Sequence, residues 1–173
     1  GIGRRANEVE AVLEQGAPWA TGLIEHVRRE LRLRERMGHR YPHLRPLLLV
    51  GPPGSGKTVV ASTLAHAMGL PIDRIDAGGL SDNRDLAGTA AGWSTALLLL
   101  VDEIEKSVGK SVNGSAQDTL LGMTEPGTAS SYFDTGLRAK VDISNITWVM
   151  TANDLSAVPK PLKSRLAVIR VDR

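Results

Sequence analysis

Eight consecutive residues, Gly51-Pro52-Pro53-Gly54-Ser55-Gly56-Lys57-Thr58, restrict what this chain can fold into more than any other feature. They satisfy G-x-x-x-x-G-K-[ST] at every fixed position. An apolar run, Leu47–Val50, stands before them, and Val60, Leu64, Ala67 and Met68 recur at helical spacing behind them, up to Gly69. The order is thus buried strand, glycine-rich turn, helix. Glycines let the backbone curl until successive N–H groups face inward around phosphate oxygens. The helix that follows adds its positive N-terminal end to the same anion. Lys57 is placed to reach the β and γ phosphates, and the Thr58 hydroxyl to ligate Mg²⁺.

The remaining pattern extends the same architecture. Ala20, Leu23, Val27 and Leu31 predict an amphipathic helix over 21–37. Short apolar runs predict further strands at 72–75, 97–101, 146–150 and 167–171, and Ala116, Leu120 and Thr124 a helix closed by Pro126-Gly127. Alternating strands and helices argue for an α/β fold with a mostly parallel five-stranded sheet flanked by helices. One interval looks too short. Parallel strands need a crossover of about a dozen residues, yet only Ser94, Thr95 and Ala96 separate the Gly92-Trp93 turn from the strand at Leu97. The expectation is that a segment is missing between Trp93 and Leu97, with a direct antiparallel connection as the alternative.

The strand over 97–101 ends on two carboxylates, Asp102 and Glu103. Ligands of open α/β sheets bind at the carboxyl ends of the strands. Asp102 there would hold Mg²⁺ through water, and Glu103 would polarise the attacking water. Asn153 follows the next apolar run and can hydrogen-bond a γ-phosphate or that water, although an Asn in a strand-end turn is common for its own sake. Arg165 precedes the last strand, either as a solvent-exposed side chain or as a cation projected toward a neighbouring subunit's γ-phosphate. No Asn-Lys-x-Asp element for reading guanine follows the turn, so ATP is favoured over GTP.

These blocks resemble the AAA+ superfamily of P-loop ATPases, and more closely the ATPase module of Lon-type proteins. The resemblance runs over about 47–171. It rests on the phosphate loop, on Asp102-Glu103-Ile104-Glu105-Lys106, on Leu120-Leu121-Gly122-Met123-Thr124-Glu125-Pro126 continuing to Tyr132-Phe133-Asp134, on Thr151-Ala152-Asn153 and on Pro161-Leu162-Lys163-Ser164-Arg165-Leu166. It implies a large α/β nucleotide-binding subdomain over 41–173 with a β-hairpin insertion; the helix read over 21–37 makes 1–40 an N-terminal helical segment. It implies Asn153 as the sensor-1 residue and Arg165 as an arginine finger. Trp93 aligns with a loop that presents an aromatic residue to the pore of Lon-like hexamers, where apolar contact could grip a polypeptide without reading its sequence; a Trp packed in a local core is the other reading. The hairpin near Tyr132 would be a second such loop. Neither the small helical lid nor the Ser–Lys protease domain of Lon proteins is expected within these 173 residues.

Composition narrows the class without choosing a partner. The net charge is +2, and no cysteine is available for a disulfide or thiolate metal site. No apolar run is long enough to span a bilayer, so a cytoplasmic compartment and no membrane partner are the expectation. Arg28, Arg29, Arg32, Arg34 and Arg36 form a basic run that is either a solvated helix face or a phosphate-tracking surface. The favoured function is an ATP- and Mg²⁺-dependent motor, a homo-oligomer expected as a hexamer, acting on polypeptide. A nucleic-acid remodeller and a nucleotide-controlled switch are the alternatives.

Overall fold

The computed structural model describes residues 5–39, 43–77, 96–107, 116–134 and 137–172. Five strands form one sheet in the order β2-β3-β6-β1-β7: β1 (Leu47–Val50), β2 (Ile72–Asp76), β3 (Leu97–Asp102), β6 (Ile146–Ala152) and β7 (Ala167–Arg170). Every pairing in it is parallel. A parallel sheet covered on both faces favours continuous apolar strands, and β1, β3 and β6 are buried along their whole length. β2 reads Ile-Asp-Arg-Ile-Asp, is largely exposed and lies at an edge.

Strand alternation sorts the side chains into two cores. Leu47, Leu49, Leu98, Leu100 and Val149 face one side, under α1 (Ala6–Gly16), α2 (Thr21–Arg36) and α3 (Lys57–Met68). Leu48, Val50, Leu99, Val101, Trp148 and Met150 face the other, against Leu120 and Met123 of α4 (Ala116–Met123) and Leu162 of α6 (Lys160–Arg165). The result is a three-layer α/β/α arrangement. Between α4 and β6 lie the short α5 (Pro126–Ala129) and an antiparallel hairpin of β4 (Tyr132–Asp134) and β5 (Ala139–Val141).

Three expectations change. The connection into β3 is not too short: β3 pairs in parallel with β2, and residues 77–96 lie between them, more than the dozen a crossover needs. The expectation counted from Trp93, which lies outside the described residues, whereas the described strand that pairs with β3 and precedes it in the chain is β2. Neither the missing segment nor an antiparallel connection is therefore needed to build this sheet. Second, α1 has no counterpart among the helices read from residue patterns. Its apolar positions Ala6, Val9 and Leu13 form a stripe too brief to stand out, yet all three are buried. Third, Pro126 begins a helix as well as following one, because a proline at the first helical position gives up no needed N–H.

The basic run faces acids. Arg28 and Arg32 both reach Glu10 of α1, at 2.5 and 3.4 Å, while Arg29 and Arg34 pair with Glu25 and Glu30 one turn away, at 3.9 and 3.6 Å. Exposed pairs of this kind stabilise little individually. They do offset the charge that a phosphate-tracking surface would require.

Candidate nucleotide-binding site

Parallel pairing places the carboxyl ends of β1, β3 and β6 along one rim of the sheet. The chain leaves β1 at Gly51, where there is no room for a side chain. A Cβ would stand 2.2 Å from the Val171 carbonyl oxygen and 2.7 Å from Ser55 Oγ. Gly54 and Gly56 take φ of 79° and 83°, the left-handed region that L side chains avoid. Gly56 ends the turn as the N-cap of α3, whose first residue is Lys57. The turn thus joins a strand end to a helix N-terminus, as a phosphate cradle requires.

Lys57 is 8% exposed and its ammonium donates to the Gly51 carbonyl at 2.5 Å, the Pro52 carbonyl at 2.9 Å and Ser55 Oγ at 3.3 Å. Burial pushes its pKa below the ordinary lysine value, while Glu105, Asp102 and Glu103 pull the other way. The cation is therefore folded onto its own loop, within the field of three carboxylates.

A cleft of about 370 Å³ opens over this loop, lined by Gly54, Lys57, Thr58, Asp102, Glu103 and Asn153, with Arg74 and Thr151 between them. The sequence-predicted residues of the loop, of β3 and of β6 thus converge on one cavity. Asp102 is buried; its Oδ1 accepts from Thr151 Oγ1 at 2.7 Å and its Oδ2 forms an ion pair with Arg74. Glu103 adopts φ 56° and its carboxylate meets Lys106 Nζ at 2.6 Å. That hydrogen bond raises the pKa of Lys106. A left-handed non-glycine residue costs on the order of 1–2 kcal/mol. The Asn153 backbone N–H donates to Glu105 Oε1 at 2.9 Å, tying the end of β6 to the turn after β3.

Arg165 is not among the residues lining this cleft. It closes α6 and forms an ion pair with Glu125, the N-cap of α5. Trp93 lies outside the described residues. Four residues that the pattern reading left without a role contact the acids or Asn153: Arg74, Thr151, Glu105 and Lys106. Thr151 carried a usable signal, since it lies two residues before Asn153 and side chains two apart in a strand share a face. Arg74 carried none, because its reach to Asp102 depends on β2 pairing with β3.

Comparison with known proteins agrees with this geometry. The family model described as "ATPase family associated with various cellular activities (AAA)" matches residues 47–172. A mitochondrial Lon protease homolog from Phaeodactylum tricornutum is 36% identical over 141 residues, which cover 72% of this chain and 16% of that protein. A Lon protease from Nitrosococcus oceani is 33% identical over 141 residues, covering 72% and 18%. This chain therefore spans less than a fifth of the length of either relative. Among solved structures, the RuvB Holliday junction branch migration motor of Thermotoga maritima shares the fold, with a TM-score of 0.60 and 20% identity over 95% of this chain and 44% of that one. A strand–loop–helix phosphate cradle, a pair of acids at the end of β3 on the same rim of the sheet and a family match over most of the chain make this protein a member of the AAA family of ATPases.

Proposed function

We propose that the chain is the motor module of a Lon-like protein unfoldase, coupling ATP hydrolysis to movement of a polypeptide through a ring of identical subunits. One observation carries the reading. Lys57, Thr58, Asp102, Glu103 and Asn153 meet in one cleft, whereas Arg165 lies outside it, on α6. An ATPase site that draws its last cation from the next subunit can work only in an assembly. Similarity to Lon proteases at 36% and 33% identity points to polypeptide as the substrate class.

Within the cleft, the N–H groups of residues 54–58 would hold the phosphates and Lys57 would leave its loop carbonyls for the β and γ oxygens. Thr58 and Asp102 both offer hard oxygen donors to the cleft, a set that would suit Mg²⁺. When bound there, the ion would neutralise charge developing on the transferred phosphoryl group. Glu103 would orient and deprotonate the attacking water, and Asn153 would hold that water or the γ-phosphate.

Two exposed apolar side chains on the hairpin, Phe133 and Leu137 (53% and 49% exposed), support contact with an extended chain, because such contact needs no sequence match. The reading is tested by measuring ATP turnover with an unstructured polypeptide and with duplex DNA. Stimulation by polypeptide is expected. Stimulation by DNA alone, lost steeply with salt, would favour the nucleic-acid remodeller.

A further inference from the structure

Asp102 and Glu103 are adjacent in the chain and yet serve the same cleft. Adjacent residues in a strand point to opposite faces of the sheet. The chain reconciles the two by ending β3 at Asp102 and turning Glu103 into the left-handed region, at φ 56°. A glutamate holds that conformation only where its surroundings favour it.

We infer that Thr151 is the positioning residue that fixes both acids, its single hydroxyl joining the side chain of one to the backbone of the other. Thr151 is fully buried and is the second-to-last residue of β6, at the end of the strand that meets the cleft. Its Oγ1 donates its proton to Asp102 Oδ1 at 2.7 Å and accepts the Glu103 N–H at 2.9 Å. The donor bond aims the Asp102 carboxylate; the acceptor bond satisfies the N–H that the left-handed turn presents to the interior. Glu105 ties the same strand end to the same turn through the Asn153 N–H. Movement at the sensor end of β6 is thereby passed to the acids through Thr151. The inference rests on the hydrolytic roles proposed for Asp102 and Glu103 and not on what the motor moves.

Thr151→Val keeps the shape and removes the hydroxyl, and Thr151→Ser keeps the hydroxyl. ATP turnover is measured for both on the assembled protein across Mg²⁺ concentrations, with Glu103→Gln alongside. Thr151→Val is expected to lower kcat and raise the Mg²⁺ needed for half-maximal activity, each by roughly 10- to 100-fold, while nucleotide affinity without divalent ion stays within about twofold of wild type and Thr151→Ser restores both. Wild-type kcat and Mg²⁺ requirement in Thr151→Val overturn the inference, as does an equal loss in Thr151→Ser. If Thr151→Val fails to fold, Thr151→Ala read the same way decides. Wild-type turnover in Glu103→Gln would instead sink the assignment of the acids themselves.

Discussion

Arg74, on the edge strand β2, forms an ion pair with Asp102 at the end of β3. The acid proposed to hold magnesium thus carries a cation from its own subunit, and a metal ion arriving there must compete with it. The arginine side chain is 60% exposed, which screens the pair and keeps its strength modest. Arg74→Met should lower the Mg²⁺ needed for half-maximal turnover by roughly two- to fivefold. A higher requirement would mean that Arg74 assists binding instead of opposing it.

Glu103→Gln retains the size of the side chain and removes the proposed base. Nucleotide binding should persist while turnover drops by at least about 100-fold, the ordinary contribution of a general base. Equilibrium binding of a fluorescent ATP analogue and steady-state phosphate release measure the two separately.

Two glycines give opposite expectations. At Gly51 an added methyl meets the backbone carbonyl of Val171, which cannot rotate away. Gly51→Ala should destabilise by roughly 1–3 kcal/mol and abolish nucleotide binding. Gly122 lies in α4 with nothing within 4 Å of its would-be Cβ, so Gly122→Ala should stabilise by up to about 1 kcal/mol. Urea unfolding of the two variants checks both signs.

Arg165 is held by Glu125 within its own subunit. If it serves the neighbouring site, Arg165→Ala should cut turnover by about 1,000-fold or more with nucleotide affinity nearly unchanged. Mixing Arg165→Ala with Lys57→Ala subunits should restore a fraction of the activity, since some interfaces then join an intact loop to an intact arginine. No recovery at any mixing ratio would argue against a role in trans.

Acid should weaken the fold through two groups, Glu30 within α2 and His43 in the segment before β1. Burial, with help from Arg34, holds the His43 pKa below its ordinary 6.5, so the folded state keeps it neutral while the unfolded chain takes up a proton. Its effect is absent above pH 6.5 and destabilising below it. Burial works to raise the pKa of Glu30, but His26 and the Arg45 N–H outweigh it, leaving the pKa below 4.5. The stability that Glu30 contributes is fully present above pH 4.5 and is lost as pH falls through the lower folded value. Melting temperature should therefore be flat above pH 6.5 and decline below it, and His43→Gln should flatten the first part of the decline.

The amino-acid order by itself determined the phosphate loop, the strands that carry it and the acids beside it, because each of these is a local pattern. Glycines mark where the backbone must curl, a run of Leu and Val marks a strand buried on both faces, and Asp102-Glu103 follows such a run directly. Only tertiary structure decided which strand lies beside which. That order brings Arg74 onto Asp102 across a β2–β3 pairing, brings Thr151 to both acids from 48 and 49 residues away, and removes the apparent shortage of chain before β3. It also folds α1, whose short stripe acquires meaning only against α2 and α3. Contacts between residues far apart in the chain depend on register and packing, and no local periodicity encodes them.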